Sequence, residues 1–338
     1  MSETSAAKTG RPWGQAALWL AALAAFFYVS YGFANWLAAQ RADVPTLVFG
    51  WERSIPFLAW TIIPYWSINL FYGASLFACR DRAELATHVR RLLTCQIVAV
   101  ACFILFPLQL AFGRPETGGF SGFLFEALTA FDRPYNLAPS LHVALLVVLW
   151  DLYARRAPRA LRLPLHLWFA LIGISVLTTY QHHFFDVPTG LLLGIVALWL
   201  WPADRPSPLA RVSLTAGRRR WRIAGAYGTG AAVCFALALA AGGIALWLMW
   251  PAVSLLLVAA CYAGLGTDGF QKSGDGRMTV AARLLLAPYR AAARANAWLW
   301  TRTDRETAEV ADGVFIGPLP LRRSANGFGT IIDLTAEM

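Results

Sequence analysis

What most constrains this chain is a succession of apolar segments, each close to the length of a bilayer crossing. A spanning helix needs about 20 mostly apolar residues. Segments of that kind fall at 16–39, 55–79, 92–112, 140–154, 164–181, 184–202, 223–243 and 244–265. The fourth is short and the last two adjoin at Gly242 and Gly243, so the count of eight holds to within one. Only helices and closed barrels satisfy every backbone group inside lipid. The expected fold is therefore all-α, a polytopic membrane helical bundle. Pro64, Pro107 and Pro188 fall within these segments, where neighbouring helices can satisfy the freed backbone groups.

A water-soluble alternative fails on composition. The chain is 58% hydrophobic and 14% charged, against roughly half and a quarter in soluble domains. A 338-residue core cannot hide that much apolar surface. The five cysteines lie in or at the ends of apolar segments, without paired or metal-type spacing, and read as free thiols. Only Lys8 and Arg11 precede the first apolar run, and no small-residue cleavage site follows it, which reads as an uncleaved span.

The net charge of +10 does not point to nucleic acid, because the basic residues cluster between apolar runs instead of forming one stripe. With the N-terminus inside, sixteen fall on one side: Lys8, Arg11, Arg80, Arg82, Arg90, Arg91, Arg155, Arg156, Arg159, Arg162, Arg205, Arg211, Arg218, Arg219, Arg220 and Arg222. Arg41, Arg53, Arg114 and Arg133 fall on the other. The positive-inside rule assigns the first side to the cytoplasm, and the expected location is the cell's inner membrane. Trp51, Trp60 and Tyr65 are candidate interfacial anchors. Beyond residue 266 a Gly-rich polar stretch, 267–277, reads as a linker, and 278–300 reads as an amphipathic helix on the cytoplasmic surface.

Three stretches are polar where their surroundings are not: AFGRPETGG (111–119), FDRPYNLAPSLHV (131–143) and TTYQHHFFDVPTG (178–190). The topology above brings all three to the non-cytoplasmic face, and ionisable groups at membrane depth are functional suspects. Their residue types suit phosphoryl transfer. Arginine offers a planar fork to phosphate, and imidazole can attack phosphorus or protonate a leaving oxygen. His182 and Asp186 are four apart, so on a helix start they share a face, and the carboxylate can orient the ring. His142, opening the fourth span, would be the acid. Several members have plainer readings. His142 could cap a helix, Asp186 could cap the helix near Pro188, and His183 reads as a neighbour pointing away. The histidines could also ligate a metal, although no further ligand completes a site. Arg133 rivals Arg114, Asp151 pairs with Arg155 one turn on, and Tyr135, Asn136 and Gln181 are candidates to touch a head group.

PSLH (139–142) and HHFFD (182–186) resemble the second and third signatures of the type 2 phosphatidic acid phosphatase superfamily, in the form found among inositol phosphorylceramide and sphingomyelin synthases. FPLQLAFGRP (106–115) resembles the first signature. The resemblance implies a six-helix phosphatase core with about two further spans. It also implies that His182 forms a phosphohistidine, Asp186 orients it, His142 protonates the leaving alcohol, and Arg114 and Ser140 hold the phosphate; Arg133 is a candidate phosphate ligand in place of cations the chain lacks. No metal or cofactor is implied, and the partners are a phosphorylated lipid and the bilayer. Pro107 stands where the family has a lysine, and Ser175 and Val176 where it has Ser-Arg. The head-group transferases share these losses, so transfer competes with hydrolysis. A catalytically inert membrane anchor is the third reading.

ADGVFIGPLP and GFGTIIDLTAE (311–337) resemble the opening of a dual-specificity phosphatase domain. No cysteine has Arg six positions later, as that domain's phosphate loop requires, which reads as a truncated α/β segment. The expected divisions are 1–90, N-terminal spans; 91–202, catalytic core; 203–266, a cytoplasmic loop and two spans; 267–310, linker and interfacial helix; and 311–338, the phosphatase-like start. Both termini are expected in the cytoplasm, and oligomeric state is not legible.

Overall fold

The computed structural model describes residues 10–302, 307–317, 329–330 and 332. Among the described residues the chain is mostly helical, with eleven α-helices and one two-stranded sheet. It packs as two units divided between Ser207 and Pro208.

The first unit holds α1 (Trp13–Ala39), α2 (Ile62–Ala78), α3 (Arg82–Leu105), α4 (Gly119–Thr129), α5 (Leu141–Arg156), α6 (Arg159–Thr178) and α7 (Asp186–Leu200). The central α5 packs against α2, α3, α6 and α7. Small residues let α7 approach it closely. A Cβ on Gly190 would lie 2.5 Å from the Ser140 carbonyl oxygen, and one on Gly194 would lie 2.6 Å from the Val147 Cβ. This is the small-xxx-small spacing that brings two helix backbones together.

Five helical stretches are long and apolar enough to cross a bilayer: α1, α3, α6, α8 (Arg218–Ala241) and Gly243–Phe270, the signature of a multi-pass membrane protein. The remaining three apolar segments form shorter helices, α2, α5 and α7, of 17, 16 and 15 residues.

Two sequence expectations need correction. The third segment is not helical over 92–112: α3 starts at Arg82 and stops at Leu105. Asp81 caps it by accepting the Glu84 N–H (2.9 Å), while Glu84 accepts the Arg80 N–H (2.8 Å), a reciprocal arrangement akin to a capping box. Arg90 and Arg91 consequently lie inside a helix. The prolines also need no special tolerance. Pro64 and Pro188 occupy first helical turns, where an N–H is unpaired anyway, and Pro107 lies beyond α3.

At the end of the unit where α3 starts and α5 stops, ion pairs tie the helices together. Arg91 and Arg155 each donate to Asp151 at 2.8 Å, so the expected Asp151–Arg155 pair exists but is shared. Arg156 pairs with Glu84, and Arg91 Nε donates to the Trp201 carbonyl at 2.7 Å. The three polar stretches fall at the opposite end, where α3, α6 and α2 end or begin on that side.

In the second unit, α8 turns back at Gly242 and Gly243 (φ 57° and 51°) and packs along α9 (Met249–Ala260). Such φ values favour glycine. The single interfacial helix expected over 278–300 is instead two, α10 (Val280–Leu285) and α11 (Ala287–Thr301). Pro288 has no N–H to carry the α10 hydrogen-bond ladder onward, and it is tolerated in the first turn of a new helix. β1 (Ala308–Ala311) and β2 (Val314–Ile316) form an antiparallel hairpin through Gly313, φ 72°. Most of the phosphatase-like stretch after it lies outside the described residues.

Candidate active site

Between α6 and α7 the chain makes a tight connection rather than the helix start expected there. Gln181 N–H and His182 N–H both bond to the Val176 carbonyl, and Tyr180 N–H bonds to Leu177. This is a Schellman-type stop, with Tyr180 in the left-handed position, φ 52°. Left-handed backbone is costly for a tyrosine. Its side chain is held in compensation: the hydroxyl donates to the Ile55 carbonyl at 2.9 Å, and the ring contacts Phe57 and Phe112. The stop delivers His182 and His183 directly into a turn that ends on Asp186, the first residue of α7.

Asp186 Oδ2 lies 3.0 Å from His182 Nδ1 and accepts the His183 N–H at 2.9 Å. Because a carboxylate only accepts, His182 Nδ1 carries the proton and Nε2 carries the lone pair. Nε2 lies 3.1 Å from Ser140 Oγ. Ser140 caps α5 by accepting the Val143 N–H (3.2 Å), which leaves its hydroxyl proton for His182. Ser140 N–H also donates to the Asp186 carbonyl at 3.1 Å. Ser140, His182 and Asp186 thus form one buried hydrogen-bonded chain spanning the α5–α7 contact.

A cavity of about 880 Å³ lies beside this chain, and His182 is on its wall. Its other walls come from the non-helical stretch around Arg114, from α4, from residues 132–137, from Gln181 and from Tyr31 on α1. Arg114 and Arg133 both line it, so the two rival arginines are brought together rather than one replacing the other. The Arg114 guanidinium rests over the Phe125 ring, 5.2 Å from its centre, with no hydrogen-bond partner among the described residues. Buried polar atoms around the cavity are likewise unpaired: Asn136 Oδ1 and Gln181 Nε2. A buried polar atom without a partner is costly, so the site suits a polar ligand; Glu116, Glu126 and Asp132 line it together with the two arginines.

His142 is not on that wall. One residue into α5, its ring is directed at α2 and stacks on Tyr65, with centroids 4.2 Å apart, and Nε2 is buried without a partner. The two imidazoles therefore do not face each other across the cavity as the sequence suggests. Tyr65, read as a possible interfacial anchor, is buried under His142 instead.

Sequence reasoning missed two groups, Asp132 and Glu52, and read a third, His183, only as a neighbour pointing away. Asp132 lines the cavity and accepts from the Tyr31 hydroxyl at 2.8 Å. Burial pushes its carboxyl above the usual range, with Tyr31, His182 and Arg114 pulling the other way. Glu52 and His183, both buried, contact each other at 3.2 Å. Glu52 is the only acidic residue between 44 and 79, and a lone acid in an apolar stretch is the signal that could have found it. No three His, Cys, Asp or Glu side chains come together to hold a metal among the described residues. No family model, curated protein or solved structure matches this chain.

Proposed function

We propose that this chain is an integral-membrane phosphatase of lipid phosphates that works through a phosphohistidine on His182. The observation that carries the reading is the pairing of an Asp186-oriented ring on a cavity wall with two arginines whose guanidinium groups make no hydrogen bond among the described residues. In this reaction Arg114 and Arg133 bind the non-bridging oxygens, which lowers the charge repelling an incoming lone pair. His182 Nε2 attacks phosphorus, the ester P–O bond breaks, and the lipid alcohol leaves with a proton. His142 is the group proposed to supply that proton, after a shift of its ring away from Tyr65. Asp186 stabilises the ring as positive charge develops on it. Water then attacks the phosphohistidine, releasing phosphate and restoring the imidazole.

A transferase would share every step but the last, with a lipid alcohol in place of water. Pro107 and Val176, standing where the family signatures carry cations, keep that alternative open. The Ser140–His182–Asp186 chain also has the form of a serine nucleophile with its base. Ser140 is fully buried, caps a helix and does not line the cavity, which favours the ring as nucleophile. Under this proposal the cavity end faces away from the cytoplasm, in keeping with the arginine distribution.

Purified protein given ³²P-labelled phosphatidic acid, with and without acceptor alcohols, tests the reading. Release of inorganic phosphate supports hydrolysis, and label moving to the acceptor supports transfer. A trapped phosphoenzyme should be acid-labile, as phosphohistidine is; acid-stable label would point to Ser140. His182→Ala should abolish both label and turnover, a loss of about 10⁴-fold or more. A folded variant with unchanged cellular function would support the inert anchor.

A further inference from the structure

We propose that Glu52 and His183 form a second carboxylate–imidazole pair whose task is to hold the Arg114 segment against the turn carrying His182, an assignment that rests on the phosphatase reading for its catalytic meaning. Glu52 Oε1 accepts the Phe49 N–H at 2.8 Å. Its Oε2 accepts the Phe184 N–H at 2.9 Å and faces His183 Nδ1 at 3.2 Å. The other ring nitrogen, Nε2, accepts the Ala111 N–H at 2.9 Å. The tautomer follows: Nε2 accepts, so Nδ1 carries the proton and donates it to Glu52. With both nitrogens engaged and the ring 0% exposed, His183 has no lone pair to offer a substrate.

Three segments meet on this pair: the loop at 49–52, the turn at 182–186 and the non-helical stretch after α3. That stretch is held by consecutive amides. Gln109 N–H donates to Pro45, Leu110 N–H to Pro134, and Ala111 N–H to His183. Ala111 is the last of these tethers before Arg114, three residues on, and the Phe112 ring packs edge-on against His183. The imidazole that follows the proposed nucleophile in sequence thus sets where the arginine begins. A buried carboxylate is an expensive way to join segments unless the geometry it fixes matters. The role is positioning, exerted through Arg114 on the phosphate.

Amide side chains separate the two ends of the ring. In full-length protein, His183→Asn places a donor near the Nδ1 position and keeps Glu52, while removing the acceptor for Ala111. His183→Gln extends an acceptor to the Nε2 position. Hydrogen exchange over 106–118 and binding of inorganic phosphate are measured for both, with Arg114→Ala as benchmark. The Asn variant should exchange the Ala111 amide at least tenfold faster and bind phosphate about tenfold more weakly, the worth of one hydrogen bond. The Gln variant, which keeps that acceptor but gives up the donor to Glu52, should fall between the Asn variant and wild type on both, and with phosphatidic acid the Asn variant should lose more in KM than in kcat. Wild-type protection and affinity in a folded Asn variant overturn the proposal. If neither His183 variant folds, Ala111→Pro removes the same donor from the other side, and wild-type phosphate affinity there overturns it. An Asn/Gln split in exchange rates without any turnover by the wild type leaves the tether standing and sinks the phosphatase reading. If the wild type binds no phosphate, the exchange rates alone decide.

Discussion

At the scale of single residues, the site joins groups whose costs are visible. Asp132 is a carboxyl buried beside Tyr31 and Arg114, and burial raises its pKa. The native chain therefore holds the Asp132 proton more tightly than the unfolded chain does. This stabilisation is complete below the unfolded value of about 3.9 and is lost as pH rises through the higher folded value. Asp132→Asn keeps an acceptor for Tyr31 and removes the titration. The Tm of wild type relative to this variant should fall as pH rises from about 4 towards neutrality; a difference that grows with pH would refute the assignment. Residues close in sequence were legible beforehand. His182 and Asp186 are four apart, and Ser140 belongs to the same short motif as His142. Glu52 stands out as a lone acid, but its pairing was not legible, because the partner is 131 residues away and only folding joins them. The orientation of His142 was equally hidden, since it depends on Tyr65 occupying the far side of the ring.

At the scale of elements, two contacts set the frame. Gly194 lets α7 lie against α5, where an added Cβ would meet the Val147 Cβ at 2.6 Å and the Ala144 carbonyl oxygen at 2.8 Å. Gly194→Ala should destabilise by about 1–3 kcal/mol, the usual cost of overpacking, read as a lower Tm in detergent; an unchanged Tm would show that the helices can separate freely. At the far end, Asp151→Ala leaves Arg91 buried without its carboxylate. The cost should be about 2–3 kcal/mol, below the 3–5 of a fully buried pair because Asp151 is partly exposed. Double substitution with Arg91→Met should recover part of it, and failure to do so would make the pair incidental. Apolar length located eight helical segments and missed α4, and the bounds of the eight followed other signals. The start of α3 is written in the Asp81–Glu84 cap, whereas its stop at Leu105 leaves an apolar stretch non-helical because its amides find Pro45, Pro134 and His183 instead.

At the scale of the whole molecule, the charge asymmetry yields a test of orientation. A cysteine introduced at Thr117, beside the cavity, should react with an impermeant maleimide in intact cells. One at Ala157, after α5, should react only once the membrane is permeabilised. The reverse pattern would invert the topology and place the cavity in the cytoplasm. The ion pairs among Arg91, Asp151, Arg155, Arg156 and Glu84 gather at one end of the first unit, while at the cavity end Arg114 and Arg133 form no ion pair among the described residues. Such a bundle is fastened by charge at one end and by the Ser140–His182–Asp186 hydrogen bonds at the other. Added salt should therefore weaken the first fastening more than the second.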